Sequence, residues 1–111
     1  MNITVKSLKH CELVSVAGRV DSATAPQLAQ TLESLMKTNK FKIVLDLSQV
    51  EYMSSAGLRI LLAAQQQCRR YNRGEVVLAA VPQNIKDTLE LAGFTEIFKA
   101  YEDVVSAVGS F

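Results

Sequence analysis

The sequence is poor in the residues that most often build metal sites and disulfides. It contains one histidine, His10, and two cysteines, Cys11 and Cys68, which form no CxxC motif. A zinc site needs three or four such ligands, so the sequence predicts no metal or other cofactor. Two isolated cysteines are typical of reduced thiols in a cytoplasmic protein, because disulfides persist mainly in oxidising compartments.

Long apolar runs and an excess of one charge are also missing. No run approaches the roughly 18 apolar residues of a transmembrane helix, and residues 1–10 lack the charged start and apolar core of a signal peptide. Twelve Lys plus Arg residues against eleven Asp plus Glu residues give a formal net charge of +1. Such a balance offers little attraction for a polyanion. We therefore expect neither direct nucleic-acid binding nor membrane association.

The residues that are present suit one domain with its own hydrophobic core. The chain has 111 residues, of which 49 % are hydrophobic, enough to fold without disulfides or metals. Residues 3–6 and 12–16 alternate in polarity and predict a β-hairpin. Residues 18–24 are rich in turn and cap formers and predict a loop, after which Pro26 suits the first turn of a helix. Apolar residues recur with helical spacing in that segment at Leu28, Leu32, Leu35 and Met36.

The rest of the chain alternates between predicted strands and helices. Residues 42–47 and 75–81 are short aliphatic runs, typical of strands covered on both faces. One helix lies between them and ends near residues 72–74. A second helix runs from Pro82 to a stop at Gly93, and a short strand at residues 97–99 precedes a final helix. The predicted apolar faces of these three helices are Gly57, Leu61, Ala64, Cys68 and Tyr71; Ile85, Leu89 and Ala92; and Val104, Val105 and Val108.

This order of elements predicts an α/β fold. Alternating strands and helices favour parallel pairing with right-handed crossovers, and the leading hairpin adds an antiparallel edge. The prediction is a single domain over residues 1–111, with a mixed, mostly parallel sheet and about four helices.

Two adjacent serines stand where the strand at residues 42–47 gives way to the next helix. Ser54 and Ser55 are followed closely by Gly57. In open α/β sheets, functional groups gather where the carboxyl ends of strands meet helix N-termini. Serine is also a preferred N-cap residue. Because a helix has one start, capping accounts for one of the two serines.

The residues around this junction disfavour three other classes of protein. Neither GxxxxGK[ST] nor GxGxxG is present for phosphate binding. A serine hydrolase is disfavoured because the one imidazole, His10, lies in the hairpin and no GxSxG motif occurs. A phosphoacceptor receiver domain needs an acidic pair after its first strand, and neither early strand ends in one. Asp21 and Asp46 either line an acidic pocket near the strand ends or serve as a loop cap and a strand-end carboxylate.

Residues 46–58, DLSQVEYMSSAGL, resemble the signature of the STAS domain, specifically that of the small bacterial anti-anti-sigma factors (anti-sigma factor antagonists). The pattern D-L-S-x-V-x-x-[ML]-[DST]-S-[STA]-G-L spans the whole strand–helix junction. The resemblance extends over residues 3–108 and includes GRVD at residues 18–21. The length and the order of elements also match a stand-alone member.

The resemblance implies a non-enzymatic regulator that works by partner switching. In this family the unphosphorylated protein binds an anti-sigma factor that is itself a serine kinase, and a sigma factor is freed. The kinase then phosphorylates the antagonist, the complex separates, and a serine phosphatase resets the cycle. The acceptor falls on Ser55. Many members have aspartate immediately before the acceptor, whereas this chain has a second serine, Ser54, which is therefore the alternative acceptor. The second reading is a STAS subunit of a membrane transport or lipid-transfer complex, without phosphorylation.

The same resemblance assigns partner binding to Asp21, Ser54, Ser55, Gly57 and Arg59. Ser54 is expected to cap the helix, whereas Ser55 is displayed in its first turn, where the helix dipole favours an anion. Gly57 is expected either to let a partner approach or to let the helix pack closely on a strand. Asp21 is expected to affect the partner more than stability, and Asp46 mainly folding.

Overall fold

Five strands and four α-helices build the fold in the computed structural model, which describes residues 1–111. The sheet order is β1-β2-β3-β4-β5, with β1 antiparallel to β2 and every other pair parallel. This confirms the predicted α/β fold with its antiparallel leading hairpin. In chain order the elements are β1 (Asn2–Ser7), β2 (Glu12–Val20), α1 (Ala25–Lys37), β3 (Lys42–Met53), α2 (Ser55–Arg69), one 3₁₀ turn (Arg70–Asn72), β4 (Glu75–Ala79), α3 (Gln83–Leu91), β5 (Ala100–Tyr101) and α4 (Val104–Gly109).

The two faces of the sheet are covered unequally. On one face α1, α2 and α3 enclose a core of 23 buried residues, to which β3 contributes Ile43, Leu45 and Leu47. On the other face α4 covers a cluster of five buried residues, including Val44. Successive residues of a strand point to opposite faces. Because both faces are covered around β3, the consecutive residues Ile43, Val44 and Leu45 are all apolar and buried.

The two cysteines lie on opposite faces of the sheet. Cys11 belongs to the smaller cluster and Cys68 to the larger core, and both are unpaired. The sheet between them prevents a disulfide from joining them. Burial raises the pKa of the Cys68 thiol to about 11, although the charge of Arg73 acts in the opposite direction. The thiol is therefore protonated, and weakly nucleophilic, at neutral pH.

Two strands are longer than predicted. Residues 18–20 belong to β2 rather than to a loop, because β2 pairs in parallel with β3 as far as Val20 opposite Met53. β3 likewise continues beyond residue 47 to Met53. The pairing register shifts twice along these extensions, and Gly18 adopts a φ of 97°. Such bulges interrupt the alternation from which strands are predicted.

Three of the predicted apolar helix positions lie outside the core. Tyr71 is 78 % exposed and has a φ of 60°, because α2 ends before it. Ala92 is exposed at the C-terminal cap of α3, where Gly93 with a φ of 76° ends the helix as predicted. Val105 is 82 % exposed, whereas Ala107 is the fully buried residue of α4. None of the helices combines the length and the apolar character needed to cross a membrane.

The last strand is displaced from its predicted position, and the buried side chain of Gln65 explains why. β5 occupies Ala100–Tyr101 instead of residues 97–99. The Nε2 of Gln65 donates to the carbonyl oxygens of Val76 and Ile97 at 3.0 and 2.9 Å, and its Oε1 accepts from the Val76 N–H at 2.6 Å. These groups of Val76 point to the side of β4 on which β5 pairs. A strand that began at residue 97 would find no free backbone group at Val76, and pairing with β4 begins instead at the Leu78 N–H, which donates to the Lys99 carbonyl oxygen at 2.9 Å.

Candidate functional site

The junction between β3 and α2 lies at the carboxyl end of the parallel strands. Ser54 is extended, with φ −88° and ψ 174°, and α2 begins at the next residue. The Ser54 N–H donates to the carbonyl oxygen of Val20 at 2.8 Å, which fastens the end of β3 to the end of β2. The two strands thereby bring Ser55 and the turn that contains Asp21 to the same end of the molecule.

The two adjacent serines have different environments. Ser55 is exposed at the first residue of α2. Ser54 occupies the N-cap position, but its Oγ is buried and has no hydrogen-bond partner. The predicted capping bond is therefore wrong, since the hydroxyl accepts no hydrogen bond from the N–H groups of the first turn. Ser55 has the exposure that a kinase requires, and its phosphorylation stays a prediction.

Gly57 faces the sheet and allows α2 to pack closely against it. A Cβ atom at this position would lie 2.8 Å from Cγ1 of Val20 and 2.9 Å from Cγ of Met53. Real Cβ atoms do not approach other carbon atoms so closely, since packed interiors leave no such overlap. Of the two predicted roles of Gly57, the geometry supports close packing of helix on strand. Direct partner contact through this buried residue stays a prediction.

Asp21 holds the turn that starts α1. Its Oδ1 accepts hydrogen bonds from the N–H groups of Ala23 and Thr24 at 3.0 and 3.2 Å, and its own N–H donates to Thr24 Oγ1 at 2.9 Å. Partial desolvation acts to raise the pKa of Asp21, but the bonds from Thr24 and Ala23 and the charge of Arg19 together lower it below its ordinary value. The carboxylate thus contributes to local structure as well as to the surface, contrary to the expectation of little effect on stability.

Arg19 and Tyr52 join the site without being predicted. The guanidinium carbon of Arg19 lies 4.4 Å from the centroid of the Tyr52 ring, and its Nε lies 3.9 Å from Oδ2 of Asp21. Arg19 and Tyr52 are register partners in β2 and β3. That pairing could be found from the sequence only if both strands were extended to their true ends.

The exposed residues at this end of the sheet form what we call the junction surface. Arg59 is exposed four residues after Ser55, so the two side chains lie on the same side of α2. Tyr52 and the Arg19–Asp21 pair belong to the strand ends and the turn beside them. The junction surface consists of Arg19, Asp21, Tyr52, Ser55 and Arg59.

Asp46 lies outside the junction surface. It pairs with Ser15 in the middle of β2, whereas Asp21 follows the far end of that strand. Its Oδ1 accepts a hydrogen bond from the Ser48 N–H at 3.0 Å, and its Oδ2 lies 3.5 Å from Ser15 Oγ. The carboxylate therefore supports the backbone at the register shift in β3, in line with a role in folding. The alternative of an acidic pocket shared by Asp21 and Asp46 is wrong.

The one imidazole lies at the opposite end of the sheet from the serines. His10 is in the loop between β1 and β2, beside the amino ends of the parallel strands. Ser55 follows the carboxyl end of β3. A nucleophilic serine needs its base within hydrogen-bonding reach, so no serine–histidine pair forms here.

Comparison with known proteins identifies the family. The family model described as "Mlab, STAS domain" matches residues 3–102. The chain belongs to the STAS domain family. This STAS chain is 32 % identical over 111 residues to BtrV of Bordetella bronchiseptica, which is named as an anti-sigma factor antagonist, with 100 % of this chain and 95 % of that protein covered. It is 28 % identical over 103 residues to the anti-sigma-B factor antagonist of Listeria monocytogenes, with 89 % of each covered.

A solved structure extends the likeness to three dimensions. The crystal structure of an anti-sigma factor antagonist from Mycobacterium paratuberculosis matches this STAS chain with a TM-score of 0.89 and 27 % identity, covering 98 % of this chain and 92 % of that one. The resemblance seen at residues 46–58 thus holds for the fold of nearly the whole chain. The matched relatives carry the names of regulators, in line with the non-enzymatic domain predicted from the sequence.

Proposed function

We propose that this STAS protein is an anti-sigma factor antagonist that binds an anti-sigma serine kinase and so frees a sigma factor, under the control of phosphorylation at Ser55. The observation that carries the proposal is the exposed serine at the N-terminus of α2, in a chain 32 % identical to a protein named as such an antagonist. The cycle takes place in the cytoplasm, and a serine phosphatase restores the active form.

The junction surface has the chemistry of a protein-binding surface. It offers a half-exposed tyrosine ring, two arginines and one carboxylate around a neutral hydroxyl. Tyrosine and arginine are enriched among the residues that contribute most to binding energy. Ser54 and Gly57 lie beneath this surface and set the position of α2. Direct contact of either residue with the partner stays a prediction.

Phosphorylation of Ser55 would change the charge of this surface without disturbing the domain. A phosphoserine carries about −1.5 to −2 charges at neutral pH, and a helix N-terminus stabilises such an anion. A partner whose surface accommodates a neutral hydroxyl would then contact a phosphate, which must either lose its hydration or lie against groups that do not neutralise its charge. Two unit charges about 4 Å apart interact by about 4 kcal/mol at an effective dielectric constant near 20. After partial screening, a loss of affinity of roughly 30- to 1,000-fold is expected.

The test uses the cognate kinase, ATP and two serine variants. Mass spectrometry should show one added phosphate, which Ser55→Ala abolishes and the matched control Ser54→Ala retains. Titration of the kinase with the unmodified and phosphorylated proteins should give the loss of affinity stated above. Phosphate mapped to Ser54, or equal affinities of the two forms, would overturn the proposal.

The second candidate is a STAS subunit of a membrane transport or lipid-transfer complex, without phosphorylation. The same fold occurs in a sulfate transporter family protein from Wolinella succinogenes, which matches with a TM-score of 0.75 and 18 % identity, covering 88 % of this chain and 81 % of that one, so the fold is compatible with this role. Purification of the tagged chain from its own cells distinguishes the two candidates. Recovery of the chain in an integral membrane complex, with Ser55 unmodified, supports this second reading. Recovery of the chain bound to a serine kinase that phosphorylates it supports the first.

A further inference from the structure

The near-neutral net charge of the chain conceals a cluster of cationic side chains at one end. An open cavity of about 340 Å³ lies between the β1–β2 loop, the α1–β3 loop and the segment before β4. Four of its lining residues, Lys9, Lys40, Lys42 and Arg73, are cationic, and one, Glu12, is acidic. The rest of the chain then holds eight Lys plus Arg residues against ten Asp plus Glu residues. We call this cavity, which His10 also lines, the basic pocket.

The guanidinium of Arg73 is held rigidly in the wall of the basic pocket. Its carbon lies 3.8 Å from the centroid of the Phe41 ring. Its Nε and Nη2 donate to the carbonyl oxygens of Arg70 and Gln67 at 3.0 and 2.7 Å. The positive charge is therefore fixed in position before any ligand arrives, which lowers the entropy lost on binding.

The one carboxylate in the pocket is buried and already engaged. The side chain of Glu12 is 7 % exposed, and its Oε1 lies 3.2 Å from Lys40 Nζ and accepts a hydrogen bond from Ser7 Oγ at 2.6 Å. Lys40 thus neutralises Glu12. Lys9 and Lys42 also line the cavity and form no ion pair, so no carboxylate neutralises either charge at close range.

We infer that the basic pocket binds a phosphate-bearing anion. An unpaired lysine in the β1–β2 loop, another at the first residue of β3 and a fixed arginine before β4 create a positive potential that an anion relieves. Lysine presents a point charge on a flexible stem to phosphate oxygens, whereas arginine presents a planar guanidinium whose N–H donors have a fixed geometry. The pocket surrounds the amino end of β3, whereas Ser55 follows its carboxyl end. The inference is therefore independent of the junction surface and of the proposed function.

The probe for this site is inorganic pyrophosphate. Titration into ¹⁵N-labelled protein should produce saturable shifts of the backbone amides at residues 8–12 and 39–42. Lys42→Gln should weaken binding about tenfold, whereas Lys86→Gln, a matched loss of an exposed lysine on α3, should leave it unchanged. Arg73→Lys should also weaken binding, because the charge remains but its fixed position is lost.

A second arm identifies the source of the phosphate group. Sedimentation with vesicles of phosphatidylcholine and phosphatidic acid tests whether the ligand is a lipid headgroup. If the protein sediments with these vesicles and Lys42→Gln prevents it, the ligand is a lipid. If the protein binds pyrophosphate but not the vesicles, the ligand is a soluble phosphate compound. The inference is overturned if pyrophosphate gives no saturable shifts, if the shifts map to the start of α2, or if Lys86→Gln weakens binding as much as Lys42→Gln.

Discussion

The enclosed hydroxyl of Ser54 is an unfavourable group in the folded protein. Its Oγ is buried without a partner, and a buried, unsatisfied hydroxyl costs about 1–3 kcal/mol. Ser54→Ala should therefore raise the free energy of unfolding by about 1 kcal/mol, contrary to the loss expected of a capping serine. Chemical denaturation monitored by circular dichroism measures it. Asp103→Ala is the matched comparison, since Asp103 Oδ1 accepts a bond from the Ser106 N–H at 2.7 Å, and it should lose stability. A destabilised Ser54→Ala would mean that the hydroxyl is bonded after all.

Asp21 makes the stability of the domain depend on pH in the acid range. Its pKa is lowered from the ordinary value of 3.8, so the folded state binds a proton less readily than the unfolded state does. The stabilisation is present above the unfolded pKa and is lost as the pH falls through the lower, folded pKa. Asp21→Asn should therefore melt earlier than the parent at pH 7, and the gap should close as the pH falls below 3.8. A gap that stays constant down to pH 2 would rule out the carboxylate's charge as its cause.

At the scale of an element, the position of α2 on the sheet depends on the missing side chain of Gly57. Gly57→Ala places a methyl group 2.8 Å from Val20 Cγ1, and such overpacking costs typically about 1–3 kcal/mol. The better helix propensity of alanine offsets about 1 kcal/mol, so we expect a net loss of up to about 2 kcal/mol. Gly109→Ala is the control, because no atom lies within 4 Å of its added Cβ; it should keep or gain stability. Equal denaturation midpoints for the two variants would contradict close packing at Gly57.

Which elements the sequence predicts depends on how regularly each is buried. The segments at residues 42–47 and 75–79 are recognisable because both of their faces are covered, and the faces of α1 and α3 follow helical spacing. Residues 80–81, predicted to continue the second of these strands, lie beyond the end of β4 at Ala79. The second half of β3 carries no such signal, since exposed residues there follow a register shift. β5 depends on Gln65, a polar residue whose burial nothing in its local pattern indicates. At the site, Ser55 and Asp21 were found through the family signature, whereas the Arg19–Tyr52 contact required the true strand ends.

At the scale of the whole molecule, the fold should tolerate the phosphorylated state. A phosphate at Ser55 lies in the first turn of α2, where the dipole stabilises a negative charge by about 0.3–1 kcal/mol. The net charge would pass from +1 to about −1, too small a change to expand the domain. Protein with phosphoserine encoded at position 55 should therefore melt within a few degrees of the unmodified form, and its near-ultraviolet circular dichroism should be unchanged. Unfolding of the phosphorylated protein would show that the change is global and not confined to the surface.

The side chain of Gln65 also bears on how the sheet meets other chains. By bonding both backbone groups of Val76, its amide takes the place of a neighbouring strand along the part of β4 that β5 does not reach. An open edge would offer those groups to any extended peptide and so invite cross-β association. Two residues of β5 are therefore enough to complete this edge of the sheet, because Gln65 occupies the backbone groups of β4 that β5 leaves unpaired. On the other side β1 ends the sheet with six residues, so β1 is the longer open edge to which an extended chain could add.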